Sequence, residues 1–451
     1  MGKRIAVLSL LFIFSKSWAL DLMGAFEKAL ENDEIYQQKI IDTQMSGDDI
    51  AISLSNLLPN INFISQPLVN NLTSSGAIVS DNLQPANNVI SAIDIRLSAT
   101  QTIFNLANFK KLAAAKLDAK VAAASLNAEY QNLIARVVKA YFNVLYYEDS
   151  LAYYQSNKKF LSVQLAQVKE KHRLGKASSM DADHVQSALN DAEIDCQEAQ
   201  IKLFIHRQKL AEIIANDNER LAPLKNKIAL TSPKPENVNK WIEAAKRQNW
   251  NAVSNRLKIQ SALEKIKEQS SHRLPSINAE VLYEPQKFHI KNGSLLMAAG
   301  TSGQVNAAAF LNVSVPIYSG GLITASVKKY QRLGQRAKLE YLYFIRKLTY
   351  SVKKDYAMLM ADLNRIKKNK EIVLLEEKQL KATKEEYKLG RTDVLSVLNQ
   401  KEKVMKARIR HNKDQYTYIQ NLVALKHDAG TLSPDDLRII NKWLVTIPAT
   451  T

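Results

Sequence analysis

Apolar side chains recur along the chain with two different periods. Within residues 126–145 and 341–366 they return every three or four positions, which predicts amphipathic α-helices with one apolar stripe each. Proline is absent from residues 86–222 and 317–433. Because a proline inside a helix costs about 3 kcal/mol or more, these two stretches permit very long helices.

A period of two marks the second kind of segment. Residues 93–100, 277–284 and 311–315 alternate apolar and polar side chains, which predicts strands with one apolar and one polar face. The loops at residues 70–88 and 286–303 are rich in Asn, Ser and Gly. Amphipathic strands of about ten residues are typical of a transmembrane β-barrel. The edge of a soluble sandwich, or a hairpin, is the alternative.

The chain contains an internal duplication at an offset of 214 to 216 residues. Each half is predicted to contain a helix, a Leu-Pro junction, two strands, a long helix, a Leu-Gly turn and a returning helix. Because proline cannot continue a helix, we expect Pro59, Pro275 and Pro316 at junctions between helix and strand. Three pairs of segments support the duplication: Leu58-Pro59-Asn60-Ile61-Asn62 with Leu274-Pro275-Ser276-Ile277-Asn278, Gln101-Thr102-Ile103-Phe104 with Val315-Pro316-Ile317-Tyr318, and Leu174-Gly175 with Leu389-Gly390.

The beginning of the chain has the pattern of a secretory signal peptide. Lys3 and Arg4 precede a mostly apolar run over residues 5–14, and Ser17-Trp18-Ala19 has the small residues of a cleavage site. A membrane anchor is the alternative, but the run is shorter than the roughly 20 apolar residues that span a bilayer. We therefore predict a signal peptide at 1–19, a first repeat at 20–235, and a second repeat with a C-terminal periplasmic segment at 236–451.

The chain is strongly basic, with 62 Lys and Arg against 44 Asp and Glu and a formal net charge of +18. Such a charge suggests nucleic acid or an anionic membrane as a partner. Because the basic residues are scattered among acids along the predicted helices, we interpret them as solvated helix faces and expect no nucleic-acid partner.

The sequence contains no recognisable pattern of catalytic or metal-binding residues. None of the seven histidines pairs at metal-ligand spacing, and no glycine-rich phosphate loop or nucleophile elbow is present. We therefore predict no enzymatic activity, no cofactor and no metal. The single cysteine, Cys196, excludes an intramolecular disulfide and is expected to be buried.

Four strands are too few for a closed barrel, because known barrels have at least about eight. Unpaired strand edges are not tolerated in lipid. If these strands lie in a membrane, several copies of the chain must share one barrel, and a trimer supplies twelve strands. The long amphipathic helices likewise need partners to bury their stripes.

These features resemble the TolC family, the trimeric outer-membrane channels of Gram-negative export systems. The resemblance rests on the signal peptide, the Leu-Pro entries into strands, the Leu-Gly turns, and the segments Ala140-Tyr141-Phe142-Asn143-Val144-Leu145 and Val315-Pro316-Ile317-Tyr318-Ser319-Gly320-Gly321. It implies a mostly α fold with transmembrane β. A trimeric 12-stranded outer-membrane β-barrel, with four strands per chain, would continue into a long periplasmic α-helical coiled-coil barrel.

The resemblance also implies a function, the outer-membrane exit duct of a tripartite efflux pump or type I secretion system. Its partners would be further copies of itself as a homotrimer, a periplasmic adaptor protein, an inner-membrane transporter and outer-membrane lipid. The alternative is an exported periplasmic coiled-coil scaffold without channel activity. That alternative explains the helices and the signal peptide but not the duplicated strands.

Gly175 and Gly390 stand where a long helix must reverse. Gly175 is the only glycine in residues 86–222, and glycine accepts the left-handed conformation that ends helices. Ser178 and Asp181 have the spacing of a capping box for the returning helix. In the second half, Thr392 or Asp393 is expected to cap.

In the family these turns form the periplasmic tip, where the channel is pinched shut. Aligned on the glycines, Tyr387 and Asp181 match a tyrosine and an aspartate whose bond holds the tip closed. Thr392 stands where the family has an arginine, and Arg391 lies one residue earlier. The resemblance therefore implies a bond between Tyr387 and Asp181 and leaves the arginine's role unassigned.

The resemblance also places the narrowest point of the duct. Ser396 and Asn399 stand where the family has two constriction aspartates. Six carboxylates in a trimer would form a charged ring that attracts cations. We therefore expect either an uncharged pinch or a different ring supplied by Asp393.

Overall fold

The structure is a computed structural model that describes residues 19–74, 86–216, 219–225, 228, 230–291 and 304–445. The predicted signal peptide lies outside these ranges apart from Ala19, and so do residues 75–85 and 292–303 of the predicted loops. Within the described ranges, no helix combines the length and the apolar content needed to cross a bilayer.

Both halves of the chain repeat one order of elements: two helices, two strands, a very long helix and a returning helix. The first half contains α1 (Leu22–Asn32), α2 (Glu34–Ser55), β1 (Asn60–Ser74), β2 (Ala86–Phe104), α3 (Leu106–Arg173) and α4 (Ser179–Ile214). The second half contains α5 (Val238–Gln248), α6 (Trp250–Ser271), β3 (Ser276–Lys291), β4 (Gln304–Ser314), α7 (Leu322–Lys388), α8 (Val394–Asp428) and α9 (Pro434–Asn441).

The described residues form two compact units, and each takes pieces from both halves of the chain. One unit consists of Asp42–Ala123 and Ser254–Leu342 and contains the strands. The other consists of the described residues within Met1–Ile41, Ala124–Val253 and Tyr343–Thr451. Because the units cut across the duplication, the division into repeats 20–235 and 236–451 stays a prediction.

The strands form one antiparallel sheet in the order β1-β2-β3-β4. Phe63 lies opposite Leu97, and Leu97 lies opposite Tyr283, so these three side chains share one face. Ile61 and Val281 lie on the same face, because both are opposite Ala99. The apolar side chains of this face are exposed, with Ile61 at 71% and Phe63 at 68%.

The other face of the sheet is mostly polar. Arg96 forms an ion pair with Glu284 across the β2–β3 ladder. Asn62 lies opposite Ser98 on this face. The outer strands are β1 and β4, and within the described residues neither has a second neighbour. A single chain therefore presents an amphipathic sheet with two open edges.

Prolines stand at the passages between helix and strand. Helix α2 ends at Ser55 and β1 begins at Asn60, with Pro59 directly before the strand. Pro275 has the same place between α6 and β3, and Pro316 lies between β4 and α7. Each proline limits the backbone to a conformation that a helix cannot continue.

The largest core surrounds the middle of α3, where the sequence predicts an apolar stripe. Leu133, Ile134 and Phe142 are fully buried. The hydroxyl of buried Tyr141 donates to the backbone carbonyl of Leu20 at 2.9 Å. Burial raises the pKa of the Tyr141 phenol, despite its hydrogen bonds to the backbone. Cys196 of α4 is buried, as predicted.

Candidate functional site: the two helix turns

The turn between α3 and α4 is a helix end with a left-handed glycine. Gly175 has φ 69°. Its N–H donates to the carbonyl of His172 at 2.9 Å, and the N–H of Lys176 donates to the carbonyl of Lys171 at 2.8 Å. These two bonds define a Schellman motif, which pairs carbonyls that the helix end would otherwise leave free.

The turn between α7 and α8 repeats this geometry. Gly390 has φ 70°. Its N–H donates to the carbonyl of Tyr387 at 3.1 Å, and the N–H of Arg391 donates to Glu386 at 2.9 Å. A Cβ added at Gly175 or at Gly390 would meet nothing within 4 Å. The glycines are therefore required by their backbone conformation and not by crowding.

The returning helices are capped by the same pair of residue types in exchanged positions. In α4 the N-cap is Ser178, whose hydroxyl accepts from the Met180 N–H at 3.2 Å, while Asp181 accepts from the Ser178 N–H at 3.1 Å. In α8 the N-cap is Asp393, which accepts from the Ser396 N–H at 2.8 Å and from its hydroxyl at 2.6 Å. The hydrogen bonds from Ser396 lower the pKa of the Asp393 carboxyl. Asp393, and not Thr392, therefore caps α8.

Tyr387 contacts a lysine of the first helix pair. The Nζ atom of Lys171 donates to the Tyr387 hydroxyl at 3.2 Å and lies 4.5 Å from the centre of its ring. The half-buried ring packs against an apolar cluster that includes Val168 and Val394. The observed bonds of Asp181 and Tyr387 thus have other partners, and the bond between these two residues stays a prediction.

The remaining gate candidates lie at the surface of the second turn. Arg391 and Asn399 are exposed, and Thr392 and Ser396 are half-buried. Asp393 is the carboxylate of this turn, and both of its described partner groups belong to Ser396. The structure therefore brings Asp393 and Ser396 together but gives Asn399 and Arg391 no side-chain role in the single chain.

A second aromatic contact between the helix pairs was missed by the sequence analysis. The ring of Phe160 on α3 has two ammonium groups 5.4 Å from its centre, Lys384 of α7 and Lys401 of α8. Burial and the neighbouring Lys384 lower the pKa of Lys401. Attraction between a cation and a ring is worth about 0.5–1 kcal/mol at exposed sites. The lysines lie more than 220 residues after Phe160, so no local pattern could have revealed the contact.

Comparison with known proteins gives a consistent result over nearly the whole chain. The model of the family "Outer membrane efflux protein" matches residues 25–216 and 241–431. The outer membrane protein TolC of Vibrio cholerae is 26% identical over 432 residues, covering 95% of each chain. The alkaline protease secretion protein AprF of Pseudomonas aeruginosa is 21% identical over 438 residues, covering 96% of this chain and 89% of the relative.

Solved structures show the same fold. The CmeC outer membrane channel of Campylobacter jejuni superimposes with a TM-score of 0.78 at 14% identity, covering 94% of this chain and 90% of the other. The open state of the MtrE outer membrane channel of Neisseria gonorrhoeae has a TM-score of 0.74 at 18% identity, covering 93% and 92%. At these identities the similarity establishes the architecture of the chain.

Proposed function

Because the chain belongs to the outer membrane efflux protein family, it is an exit duct of the outer membrane, and we propose that three copies assemble to form it. The duct serves efflux or type I secretion and has a large periplasmic part. In this proposal it receives its cargo from a periplasmic adaptor and an inner-membrane transporter, and it catalyses no reaction.

The observation that carries the proposal is the amphipathic four-stranded sheet with open edges. Its exposed apolar face includes Ile61, Phe63 and Val281, and such a face is suited to lipid. The open edges of β1 and β4 cannot remain unpaired in a membrane. Pairing β1 of one copy with β4 of the next satisfies both edges, and three copies close a ring of twelve strands. A periplasmic scaffold would leave this sheet without a role.

Mass measurement of the purified protein in detergent tests the assembly. We expect a particle of three chains that stays intact on dilution. A folded monomer that is stable in detergent would contradict the shared barrel. A dimer would contradict the trimer while leaving a shared eight-stranded barrel possible in number.

The proposed pinch at Ser396 and Asn399 is tested by ion block in planar bilayers. Without six carboxylates at this point, we expect weak cation selectivity and little block by trivalent cations added from the periplasmic side. Asn399→Asp should create block. It is the cleaner variant, because Ser396 also donates to the cap Asp393. Strong block of the unmodified duct would instead indicate that Asp393 forms a charged ring.

The closing contact of Tyr387 is tested by the fraction of time that the duct is open. Tyr387→Phe removes the hydroxyl that accepts from Lys171 but keeps the ring, so it should raise the open fraction less than Tyr387→Leu does. Asp181→Ala tests the bond implied by the resemblance. Because Asp181 also completes the α4 capping box, Asp181→Asn is its control. An unchanged open fraction in all four variants would remove Tyr387 and Asp181 from the gate.

A further inference from the structure

Six polar residues lie between α7 and α8 at intervals of seven positions. Four of them are buried: Asp355 is 4% exposed, Asp362 1%, Asn369 7% and Asp414 6%. Intervals of seven keep residues on the facing side of paired helices. We call the set the polar seam, and its members are Asp355, Asp362 and Asn369 of α7 with Asp414, Asn421 and Asp428 of α8.

The polar seam is hydrogen-bonded across the helix pair. The Asn421 amide donates to Asp362 at 2.6 Å, and the Asn369 amide donates to Asp414. Arg365 joins these two pairs, because its guanidinium contacts Asp362 and lies 3.1 Å from Asp414. The Arg365 side chain is 52% exposed, so its charge keeps access to water.

At the other end of the polar seam two carboxyls share a site. Asp355 and Asp428 hydrogen-bond to each other, which requires a proton between them. Burial raises the pKa of Asp355, although Lys354 lies 3.1 Å from it. Burial opposes ionisation of Asp428 as well, but hydrogen bonds from His427, Ser351 and Asp355 hold its pKa below the usual value. The seam thus holds little net charge and no polar side chain without a partner.

The first helix pair provides an internal reference. The glycines place α3–α4 215 residues before α7–α8, and at that offset no acid or amide occupies the matched positions. The Tyr147 and His206 rings stack there, with centres 4.3 Å apart and planes at 16°. The matched positions form what we call the first seam: Ala140, Tyr147 and Tyr154 of α3 with Ala199, His206 and Ile213 of α4.

The two seams respond differently to separation of their helices. Opening the first seam exposes aliphatic and aromatic surface, which water solvates poorly. Opening the polar seam exchanges hydrogen bonds within the protein for hydrogen bonds to water, a nearly balanced exchange. Polar residues at such positions also set the register of a helix pair at a cost in stability. The polar seam therefore defines how α7 fits α8 without holding the pair as firmly as an apolar seam would.

We propose that the polar seam makes α7–α8 the helix pair that separates and repacks when the duct opens, while the first seam keeps α3–α4 together. The six residues are positioning residues. They hold the register of the closed state and accept water when the helices part. The inference deepens the proposed function, because it identifies the residues that allow one pair to move.

Hydrogen exchange of the unmodified protein tests the seams without any transport assay. Backbone amides of residues 355–369 and 414–428 should exchange about tenfold faster than those of 140–154 and 199–213, as expected when local opening of one pair is easier by about one hydrogen bond. Equal or slower exchange in α7–α8 would overturn the proposal, whether or not the protein conducts.

Replacing the polar seam by the residues of the first seam tests its role in opening. The first variant joins Asp362→Tyr with Asn421→His, and a smaller one joins Asn369→Leu with Asp414→Leu. We expect a higher unfolding temperature, slower exchange in α7–α8 and an open fraction in planar bilayers lower by about tenfold. If the larger pair fails to fold, the leucine pair decides the test, since its side chains are close in volume to those they replace.

The conservative variant Asp362→Asn keeps the seam polar and is the control. It should conduct like the unmodified protein, which separates the effect of polarity from that of a changed shape. A leucine pair that unfolds at a lower temperature and opens as often as the unmodified protein would reduce the polar seam to ordinary packing. Absence of conductance in the unmodified protein would contradict the duct itself, and hydrogen exchange would still decide the seam.

Discussion

The helix pairs α3–α4 and α7–α8 have the same turn and different seams. Both reverse through a left-handed glycine, Gly175 or Gly390, held by the same two backbone hydrogen bonds. Between the helices, matched positions are aliphatic or aromatic in the first pair and acids or amides in the second. The turn allows one solution because its backbone has positive φ. A helix seam allows several, because apolar contacts and hydrogen-bonded polar pairs can both fill it.

The caps fall between these two extremes. Ser178 with Asp181, and Asp393 with Ser396, occupy the same two positions of their helices in the opposite order. Either order supplies an oxygen to a free N–H of the first turn. The local requirement is therefore for a short oxygen-bearing side chain, and the choice between serine and aspartate is open.

Exchanging residues between the seams should have the largest effect. Ala199→Asp places a carboxylate at a position that is 2% exposed, and burying such a group without a partner costs about 3 kcal/mol. Asp414→Ala, at the matched position, leaves the Asn369 amide without its acceptor and costs about 2 kcal/mol. Urea unfolding followed by helical circular dichroism measures both. Ala199→Ser is the control for size, and a loss below about 1 kcal/mol in Ala199→Asp would remove the distinction between the seams.

The turns should respond equally to loss of glycine. Gly175→Ala and Gly390→Ala should each cost about 1–2 kcal/mol, because alanine is strained at positive φ while no neighbour obstructs its Cβ. Gly47→Ala is the matched control. Gly47 lies inside α2 with open space around it, so alanine there should stabilise by up to about 1 kcal/mol. Unequal losses at the two turns, measured by the same unfolding assay, would show that the turns differ in more than sequence.

The caps should tolerate exchange but not deletion. Ser178→Ala and Asp393→Ala should each cost about 1 kcal/mol, because each leaves a backbone N–H without its acceptor. The double variant Ser178→Asp with Asp181→Ser copies the cap of α8 onto α4 and should stay within about 0.5 kcal/mol of the unmodified protein. Unfolding midpoints of the three variants make the comparison. A loss in the double variant as large as in Ser178→Ala would show that the order of the two residues matters.

The smallest effect is expected from the charge of the second cap. Because hydrogen bonds from Ser396 lower the pKa of Asp393 in the folded protein, its contribution is present above the unfolded value of about 3.9 and is lost as the pH falls through the folded value. Asp393 is almost fully exposed, so solvent keeps this contribution small. Asp393→Asn retains an oxygen acceptor without the titration. Its unfolding midpoint should therefore vary less between pH 5 and pH 2.5 than that of the unmodified protein, and identical profiles would contradict the assignment.

Most of the fold could be predicted from local patterns. Pro59 and Pro275 lie where helices give way to strands, and the left-handed glycines lie where helices reverse. The stripe predicted on α7 was less complete. It counted Tyr356 and Leu363, which are partly buried beside the core, and it missed the acids at the preceding positions. A count of apolar residues cannot find a buried acid whose partner donor lies on another helix.

The gate residues divide in the same way. The glycine spacing and the caps follow from neighbouring residues, so the sequence was sufficient to place them. The partner of Tyr387 was not predictable, because Lys171 lies 216 residues earlier and two long helices bring the side chains together.

The sequence alone determined the duplicated order of elements, the turns and the two faces of the sheet, because each depends on backbone conformation or on the alternation of nearby side chains. Only the tertiary structure decided which acids are buried in the polar seam and which cations contact Phe160 and Tyr387. Those choices depend on desolvation and on donors supplied from distant segments, and both exist only after the helices have packed.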